Sequence, residues 1–346
     1  MSKIEWTDRS DWNPVRGCTR VSPGCGGPGK HGGCYAEALA ARFSKPGQWG
    51  HGFAEMRGGK PHWTGKVQLQ KDRLTLPLSW RKPAKIFVNS ASDLFHESLS
   101  DEAIDRVFAV MALSPWHTYQ VLTKRATRML DYFSVEDREG PDVDGRSADY
   151  SISQFGVRTR IMLQAARIFG DLAPRQRPPI HPTEWPLSNV WLGVSVEDQQ
   201  RADERRYALG TVAALGFITF VSYEPALGPV DWRGWWFLKQ LISGGESGPR
   251  GRPSHPKWHR DARDFCGRNH IAYFFKQWGE FAPGALNERW EAVANNANLQ
   301  IGDPSLDVAQ VTRVGKKAAG RLLDGHVHNG FPVGGGEVVS LEGRRS

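Results

Sequence analysis

The sequence has few cysteines and no long apolar run. Four cysteines among 346 residues are too few for the disulfide framework of a small secreted protein. No apolar stretch approaches the roughly 20 residues that a membrane-spanning helix requires. The first residues, MSKIEWTDRSDW, are polar and lack the apolar core of a secretory signal. We therefore expect a cytoplasmic protein that does not associate with a membrane.

The composition is typical of a soluble globular protein. Hydrophobic residues make up 39% and charged residues 24% of the chain, which is long enough for one large α/β domain or two ordinary ones. The formal net charge of +8 suits a polyanionic partner such as nucleic acid. A charge of this size is equally compatible with a role in solubility alone.

Residues 11–43 hold three of the four cysteines in a loop rich in glycine and proline, which is followed by a predicted helix from Tyr35 to about Phe43. Six residues separate Cys18 from Cys25, and eight separate Cys25 from Cys34. Ordering such a loop costs conformational entropy, so a bound metal or cluster would stabilise it. Three thiolates suit an iron–sulfur cluster with one iron open, whereas His31 as a fourth ligand would close a tetrahedral zinc site. The cysteines could also be buried apolar residues.

Short apolar runs alternate with amphipathic helical patterns along the chain. The predicted strands cover residues 3–7, 85–89, 118–122, 190–194, 217–221, 238–242 and 271–275. Such alternation predicts an α/β fold with a parallel sheet, and polar loops after each strand are typical of β/α barrels. We therefore predict a partial or near-complete (β/α) barrel over residues 1–280. Residues 281–346 are predicted to form a C-terminal extension, and its tail after Trp290 is predicted to be weakly structured and basic.

Residues 134–186 interrupt the strand–helix alternation and are interpreted as an insertion in the barrel. The stretch VRTRIMLQAARIF predicts a helix with one apolar face and its arginines off that face. The apolar face holds Val157, Ile161, Ala165 and Ile168, and the arginines are Arg158, Arg160 and Arg167. The insertion is interpreted as a surface subdomain. The alternative is an arm over the active face that contacts phosphates through its arginines.

Polar groups follow the predicted strands at matching positions and would converge on the mouth of a barrel. The candidate catalytic groups are Lys124, Glu224 and Lys276. The candidate cofactor-binding residues at strand ends are Asn89, Ser92, Asp93, Glu197, Gly244, Gly245 and Glu246. The two glycines would let the backbone approach a ligand closely. Each group alone could be a turn or surface residue, and only their recurrence supports the prediction.

The densest basic stretch lies near residue 257. It contains Arg250, Arg252, His255, Lys257, His259, Arg260 and Arg263, with Trp258 among them. Such groups contact phosphates and stack on bases in nucleic-acid-binding proteins. A solvated helix face explains the same pattern. The fourth cysteine, Cys266, shares a predicted helix face with Trp258 and is interpreted as core packing.

Several strings of the sequence together resemble a known family. They are WNPVRGC, TRVSPGC, CYAE, SDLFHE, VLTKR, WLGVSVE, SYEPALGP, GGESGP and FFKQWGE. The chain resembles, nearly end to end, a phage- and bacterium-encoded family of uncharacterised proteins that carry a three-cysteine motif. Members of that family are similar to radical SAM enzymes.

The resemblance implies that Cys18, Cys25 and Cys34 hold a [4Fe–4S] cluster whose open iron binds S-adenosylmethionine. It also implies that Tyr35, next to the third cysteine, contacts the cofactor. Both cysteine gaps are longer than in the CxxxCxxC pattern of radical SAM enzymes. The Gly-Gly-Glu turn follows about the sixth predicted strand instead of the second, where Ser92 and Asp93 are better placed to meet the cofactor's amine.

Two functions from different classes follow. The first is an iron–sulfur enzyme of radical SAM type, for which a nucleic acid or a nucleotide is the candidate substrate. The second is a zinc-stabilised nucleic-acid-binding protein without radical chemistry, supported by His31 and the positive charge. A barrel that binds a nucleotide and a protein partner, without turnover, is a third hypothesis.

Overall fold

The computed structural model describes residues 4–26, 33–135, 156–172, 185–283, 298–302, 308–332 and 338–339. The chain divides into two compact units. The first unit comprises residues 1–19, 39–192 and 211–218, and the second comprises residues 20–38, 193–210 and 219–346. Each is described below by itself. None of the described helices is long and apolar enough to cross a membrane.

The strands and helices are numbered here in chain order. The strands are β1 (Val15–Arg16), β2 (Ala54–Arg57), β3 (Lys60–Trp63), β4 (Gln68–Leu69), β5 (Lys85–Val88), β6 (Thr118–Thr123), β7 (Val190–Ser195), β8 (Ile218–Tyr223), β9 (Gln240–Gly244), β10 (Ala272–Gln277), β11 (Phe281–Pro283), β12 (Asn298–Gly302), β13 (Val308–Arg313), β14 (Phe331–Pro332) and β15 (Val338–Val339). The helices are α1 (Tyr35–Arg42), α2 (Lys71–Leu74), α3 (Asp101–Leu113), α4 (Ala126–Phe133), α5 (Val157–Asp171), α6 (Gln199–Ala214), α7 (Pro256–Arg268) and α8 (Lys316–Ala319).

Six strands, β5 to β10, form the principal sheet, and their order in the sheet is their order in the chain. The pairs β5–β6, β8–β9 and β9–β10 are parallel, as in Val88 opposite Val121 and Ile242 opposite Phe274. Every residue of β7 and β9 is buried, which is typical of parallel strands covered on both faces. The prediction of a parallel α/β fold with barrel-type strand order is confirmed.

The segment that enters the cysteine loop lies beside β5. Arg9 forms a parallel bridge with Ile86, and the Asn89 N–H donates to the Trp12 carbonyl at 3.1 Å. The first strand was predicted at residues 3–7, but the pairing begins at residues 8 and 9, whose N–H groups donate to the Lys85 carbonyl. Trp6 and Trp12, which lie on either side of this pairing in the chain, are both buried.

The strand at the other end of the sheet, β10, also has a partner. The Gly330 N–H donates to the Tyr273 carbonyl at 2.8 Å, and the Phe275 N–H donates to the His328 carbonyl at 3.0 Å. This segment is antiparallel to β10, as the bridge between Phe274 and residue 329 indicates. Since β5 and β10 each accept another segment, the described sheet is a partial barrel. Covering both ends satisfies backbone groups that an exposed edge would leave unpaired.

In the first unit, α5 packs on α3 and corrects one interpretation of the insertion. Ala165 joins Ala109 and Leu113 in a buried cluster, so the predicted apolar face of this helix is confirmed. Arg160 is buried, and its Nε donates to Asp105 Oδ2 at 3.1 Å. The expectation that Arg160 lies off the buried face is therefore wrong, and its pairing with Asp105 opposes the alternative in which this arginine contacts phosphates. The remainder of the insertion, residues 136–155 and 173–184, lies outside the described residues.

In the second unit, the chain after residue 280 is more regular than expected. Strands β11, β13 and β12 form an antiparallel sheet in that order, and Val311 and Thr312 in its central strand are buried. The expectation of a weakly structured tail is wrong for residues 298–302 and 308–332. An alternation of apolar and polar residues, with Ala309 and Val311 separated by Gln310, is the signal for β13. The division between a barrel at 1–280 and an extension stays a prediction.

Candidate functional site

In the first unit, the end of β5 holds the chain that leads to Cys18. Asn89 has a φ of 56°, a left-handed conformation that asparagine tolerates better than most residues. Its Oδ1 accepts from the Val15 N–H at 3.1 Å, and Ser92 Oγ donates to the Val15 carbonyl at 2.9 Å. Asn89 Nδ2 is buried and has no hydrogen-bond partner among the described residues. Two predicted cofactor-binding residues thus contact the entrance of the cysteine loop.

Asp93 is the centre of a buried network between the ends of β5 and β6. Its Oδ1 accepts from Thr123 Oγ1 at 2.7 Å, and its Oδ2 accepts from the Lys124 N–H at 3.1 Å. Arg125 Nη1 donates to the same Oδ2 at 3.1 Å. The Asp93 carboxylate is therefore fully engaged within the protein. Its predicted contact with a cofactor amine stays a prediction, as does the catalytic role of Lys124.

Arg125 also reaches the first cysteine, a contact that the sequence analysis missed. Its Nη1 lies 3.8 Å from Cys18 Sγ, and its Nη2 donates to Thr19 Oγ1 at 2.8 Å. Burial alone would lower the pKa of this arginine, but Asp93, Cys18 and Glu97 together raise it. The only signal in the sequence is the position of Arg125 directly after Lys124, at the end of a predicted strand.

In the second unit, Cys25 and Cys34 lie near each other. Gly26 directly follows Cys25, and Gly33 directly precedes Cys34. A Cβ on Gly26 would lie 3.3 Å from the Gly33 Cα. Burial, and then the nearby Cys25, raise the pKa of the Cys34 thiol to about 11. Cys34 is only partly buried, and a thiol with a raised pKa becomes a thiolate more readily when a cation or metal compensates its charge. Tyr35 begins α1 beside Cys34 and is 55% exposed.

An arginine–glutamate pair accompanies these two cysteines. Arg20 Nε donates to both carboxylate oxygens of Glu37, at 3.1 and 2.9 Å. Glu37 lies on α1 and is buried. The hydrogen bond with Glu37 is the main reason that the pKa of Arg20 is raised, and the charges of Cys34 and Cys25 add to it. A guanidinium is thus held next to the cysteine pair.

Glu197, which follows β7, holds the turn that precedes Cys25. Its carboxylate is completely buried; Oε2 accepts from Arg205 Nη1 at 2.8 Å, and Oε1 accepts from Ser22 Oγ at 2.7 Å. A Cβ on Gly24 would lie 2.4 Å from Glu197 Oε1. Only glycine therefore fits between the turn and this carboxylate. The predicted contact between Glu197 and a cofactor stays a prediction.

Glu246 is also paired with an arginine. Arg252 Nε donates to Glu246 Oε2 at 2.7 Å, and Arg252 Nη2 donates to the Pro23 carbonyl at 2.9 Å. A Cβ on Gly245 would lie 2.0 Å from the Trp278 carbonyl. Because glycine has no side chain, the backbone after β9 can pack directly against the backbone after β10. The Gly-Gly-Glu turn therefore supports the cysteine loop through Arg252.

Glu224 and Lys276 meet at the ends of β8 and β10. Lys276 Nζ donates to Glu224 Oε1 at 2.7 Å. A Cβ on Gly244 would lie 3.4 Å from Lys276 Cβ, so the three predicted residues are neighbours. Gln277 Oε1 beside them is buried without a partner among the described residues. The catalytic roles of Glu224 and Lys276 stay predictions.

The basic stretch around α7 is largely neutralised by its own unit. Arg260 and Arg263 share Asp324, and Lys257 pairs with Asp261 at 2.7 Å. His259 is completely buried, and burial lowers its pKa to about 3. These charges are thus paired inside the unit. Cys266 is buried as predicted.

The described residues hold no group of three or more His, Cys, Asp or Glu side chains that could hold a metal ion. His31, the proposed zinc ligand, lies outside the described residues. Cys25 and Cys34 lie close together, and thiols are the donors that iron–sulfur clusters use. The prediction of three metal-binding cysteines stays a prediction.

The comparisons with known proteins identify the family. The family model described as "Protein of unknown function (DUF5131)" matches residues 1–332, and the chain belongs to this family. No curated protein sequence matches the chain. A solved structure of a spore photoproduct lyase mutant with bound AdoMet and dinucleoside spore photoproduct shares 9% identity at a TM-score of 0.35, covering 87% of this chain and 68% of that chain. At this identity and TM-score, the structural similarity gives no information on the activity of this chain.

Proposed function

We propose that the protein is an iron–sulfur enzyme of radical SAM type. Cys18, Cys25 and Cys34 would hold a [4Fe–4S] cluster, and the observation that carries the proposal is the proximity of Cys25 and Cys34 beside Arg20. A bound cluster of this kind supplies the electron that cleaves S-adenosylmethionine reductively. The parallel sheet with chain-order strands and polar strand ends supports the same proposal.

The chain's own residues would prepare the cysteines for the cluster. The Cys34 thiol, with its pKa of about 11, must lose its proton when iron binds, and the Arg20 guanidinium compensates the resulting negative charge. Glu197 and Arg252 hold the turn at residues 22–25 from two strand ends. These bonds hold the backbone of residues 22–25 in place.

The substrate would be an anionic molecule such as a nucleotide or nucleic acid. The net charge of +8 supports this proposal, because a positive protein attracts polyanions. The pairing of Glu224 with Lys276 beside Gly244 offers a polar strand-end position for such a substrate. A reducing compartment such as the cytoplasm would keep the three loop thiols reduced.

Iron analysis tests the proposal. We expect anaerobically purified protein to contain about four iron and four acid-labile sulfide per chain, as a [4Fe–4S] cluster requires. Cys18→Ala, Cys25→Ala and Cys34→Ala should each lose most of this iron. Cys266→Ala is the matched control, since Cys266 is buried in α7, and it should retain the iron. Colourless protein with one tightly bound zinc per chain would reject the proposal in favour of a zinc-stabilised module.

A further inference from the structure

The positive charge of the chain is concentrated in residues 42–82, called here the basic segment. It holds nine lysines and arginines and two acidic residues, a formal charge of +7 against +8 for the whole chain. The structure describes all of this segment, which lies in the first unit. Most of its cations are exposed, among them Arg42, Lys45, Arg57, Lys60, Lys66 and Lys71. The cations of α7, by contrast, are paired with carboxylates of their own unit.

The hairpin of β2 and β3 brings two of these cations together at its tip. Arg57 on β2 lies directly opposite Lys60 on β3, across a turn in which Gly58 and Gly59 have positive φ. Like charges directly opposite each other destabilise a pair of strands. Glu55 forms an ion pair with Arg57, but among the described residues no carboxylate pairs with Lys60. An anion bound at the tip would relieve the repulsion.

A second pair of cations lies where β1 meets β4. Arg16 is opposite Gln68 in this two-stranded sheet, and the positive charge of Arg73 on α2 acts against that of Arg16. Arg73 is held in place, because its Nη2 donates to the Asp11 carbonyl at 3.0 Å and its own carbonyl accepts from Trp12 Nε1 at 3.1 Å. Neighbouring guanidinium groups suit a phosphate, which each can bind through two hydrogen bonds.

Lys66 connects the hairpin to this arginine pair. Its carbonyl occupies the space that a side chain on Gly17, the residue after Arg16, would need. Its ammonium lies 5.0 Å from the centre of the Phe53 ring, and the Phe53 carbonyl accepts from the Thr64 N–H at the base of the hairpin at 2.9 Å. The hairpin, Lys66 and Arg16 are therefore neighbours within the first unit.

We propose that the basic segment binds the phosphate backbone of a nucleic acid. The inference rests on the proposed function for the anionic substrate and adds the surface that would hold it. Lysines and arginines on an exposed surface supply the phosphate contacts in such complexes. A membrane surface fits less well. Within this fully described segment Met56 is the one large apolar side chain that is exposed, whereas binding to lipid requires an apolar face.

Fluorescence anisotropy with a labelled DNA duplex and a labelled single-stranded RNA, both of mixed sequence, tests the inference. Arg57→Gln with Lys60→Gln should weaken binding at least about tenfold and reduce the slope of log K against log salt by about 1.8 on the duplex, about 0.9 for each lost phosphate contact. This variant removes a repulsive pair, so its urea unfolding midpoint should not fall. Arg16→Gln should reduce the slope by about 0.9.

The matched control is Lys257→Gln with Arg260→Gln. It removes the same charge from α7, where both cations are paired, and it should leave the slope unchanged. Equal weakening in this control and in the hairpin variant would overturn the inference. Failure of the unmodified protein to bind either nucleic acid would also overturn it. Binding to phosphatidylserine vesicles in place of nucleic acid would assign the segment to a membrane surface and overturn it as well.

Iron content, measured on the same preparations, separates this inference from the proposed function. Protein that lacks iron but binds nucleic acid through Arg57 and Lys60 would reject the iron–sulfur enzyme and retain the binding surface. Iron-loaded protein that binds no nucleic acid would reject the binding surface alone.

Discussion

Carboxylates at strand ends bind arginines of their own unit in this protein. Asp93 contacts Arg125, Glu197 contacts Arg205, and Glu246 contacts Arg252. Breaking a buried pair by removing one partner is costly, because the other charge stays buried without compensation. The sequence indicated the carboxylates, since each follows a predicted strand. It could not indicate the arginines, because their partners lie 6 to 32 residues away along the chain.

His259 is expected to make the stability of the protein depend on pH. Its imidazole is completely buried between Ser243 Oγ and Ser254 Oγ, and burial, with the nearby His255, lowers its pKa to about 3. An unfolded histidine has a pKa of about 6.5. Between that pH and about 3, His259 is protonated in the unfolded chain and neutral in the folded chain. The contribution of His259 to the free energy of unfolding is therefore complete above about pH 6.5 and is lost progressively as the pH falls toward about 3.

Urea unfolding of the metal-free protein at a series of pH values measures this effect. The free energy of unfolding should fall by up to about 1.4 kcal/mol for each pH unit below 6.5. The histidines His96 and His117, whose pKa values are also lowered by burial, should steepen the decline. His259→Gln should show a shallower slope. A free energy of unfolding that stays constant between pH 6.5 and 5 would contradict the expectation.

At the scale of elements, helix α5 illustrates what a pattern can and cannot predict. The spacing of Val157, Ile161 and Ala165 predicted both the helix and its buried face, because helical periodicity depends only on the sequence. The sequence did not predict that Arg160 is buried, since this depends on Asp105 and Tyr132 of other helices. A long-range ion pair leaves no periodic signal in the helix that carries the arginine.

The docking of α5 on α3 should depend on Arg160. Arg160→Ala leaves the buried Asp105 carboxylate without its cation, and we expect a loss of about 3–5 kcal/mol in the free energy of unfolding. Arg158→Ala is the matched control, because Arg158 is exposed on the same helix and should change stability by less than about 0.5 kcal/mol. Denaturant unfolding of both variants provides the measurement. Equal stability of the two variants would show that the pair does not hold the helix.

At the scale of the whole molecule, the strand order was predictable and the ends of the sheet were not. The runs KIFV and VWLGVS are apolar and bounded by turn signals, so each predicts a strand by itself. The pairing of β10 with residues 328–330 joins positions more than fifty residues apart, and no local pattern indicates it. The sheet formed by β11, β13 and β12 is different, because β12 and β13 pair locally, with Gly302 opposite Val308, and the alternation in β13 was a signal that could have predicted it.

Reductive cleavage of S-adenosylmethionine is the reaction expected of a radical SAM enzyme, and its product can be measured directly. Reconstituted protein should be incubated anaerobically with S-adenosylmethionine and a strong reductant, and 5′-deoxyadenosine quantified by chromatography. The account predicts its formation by the unmodified protein and its absence in Cys34→Ala. Intact S-adenosylmethionine in the presence of a fully reduced cluster would contradict the account.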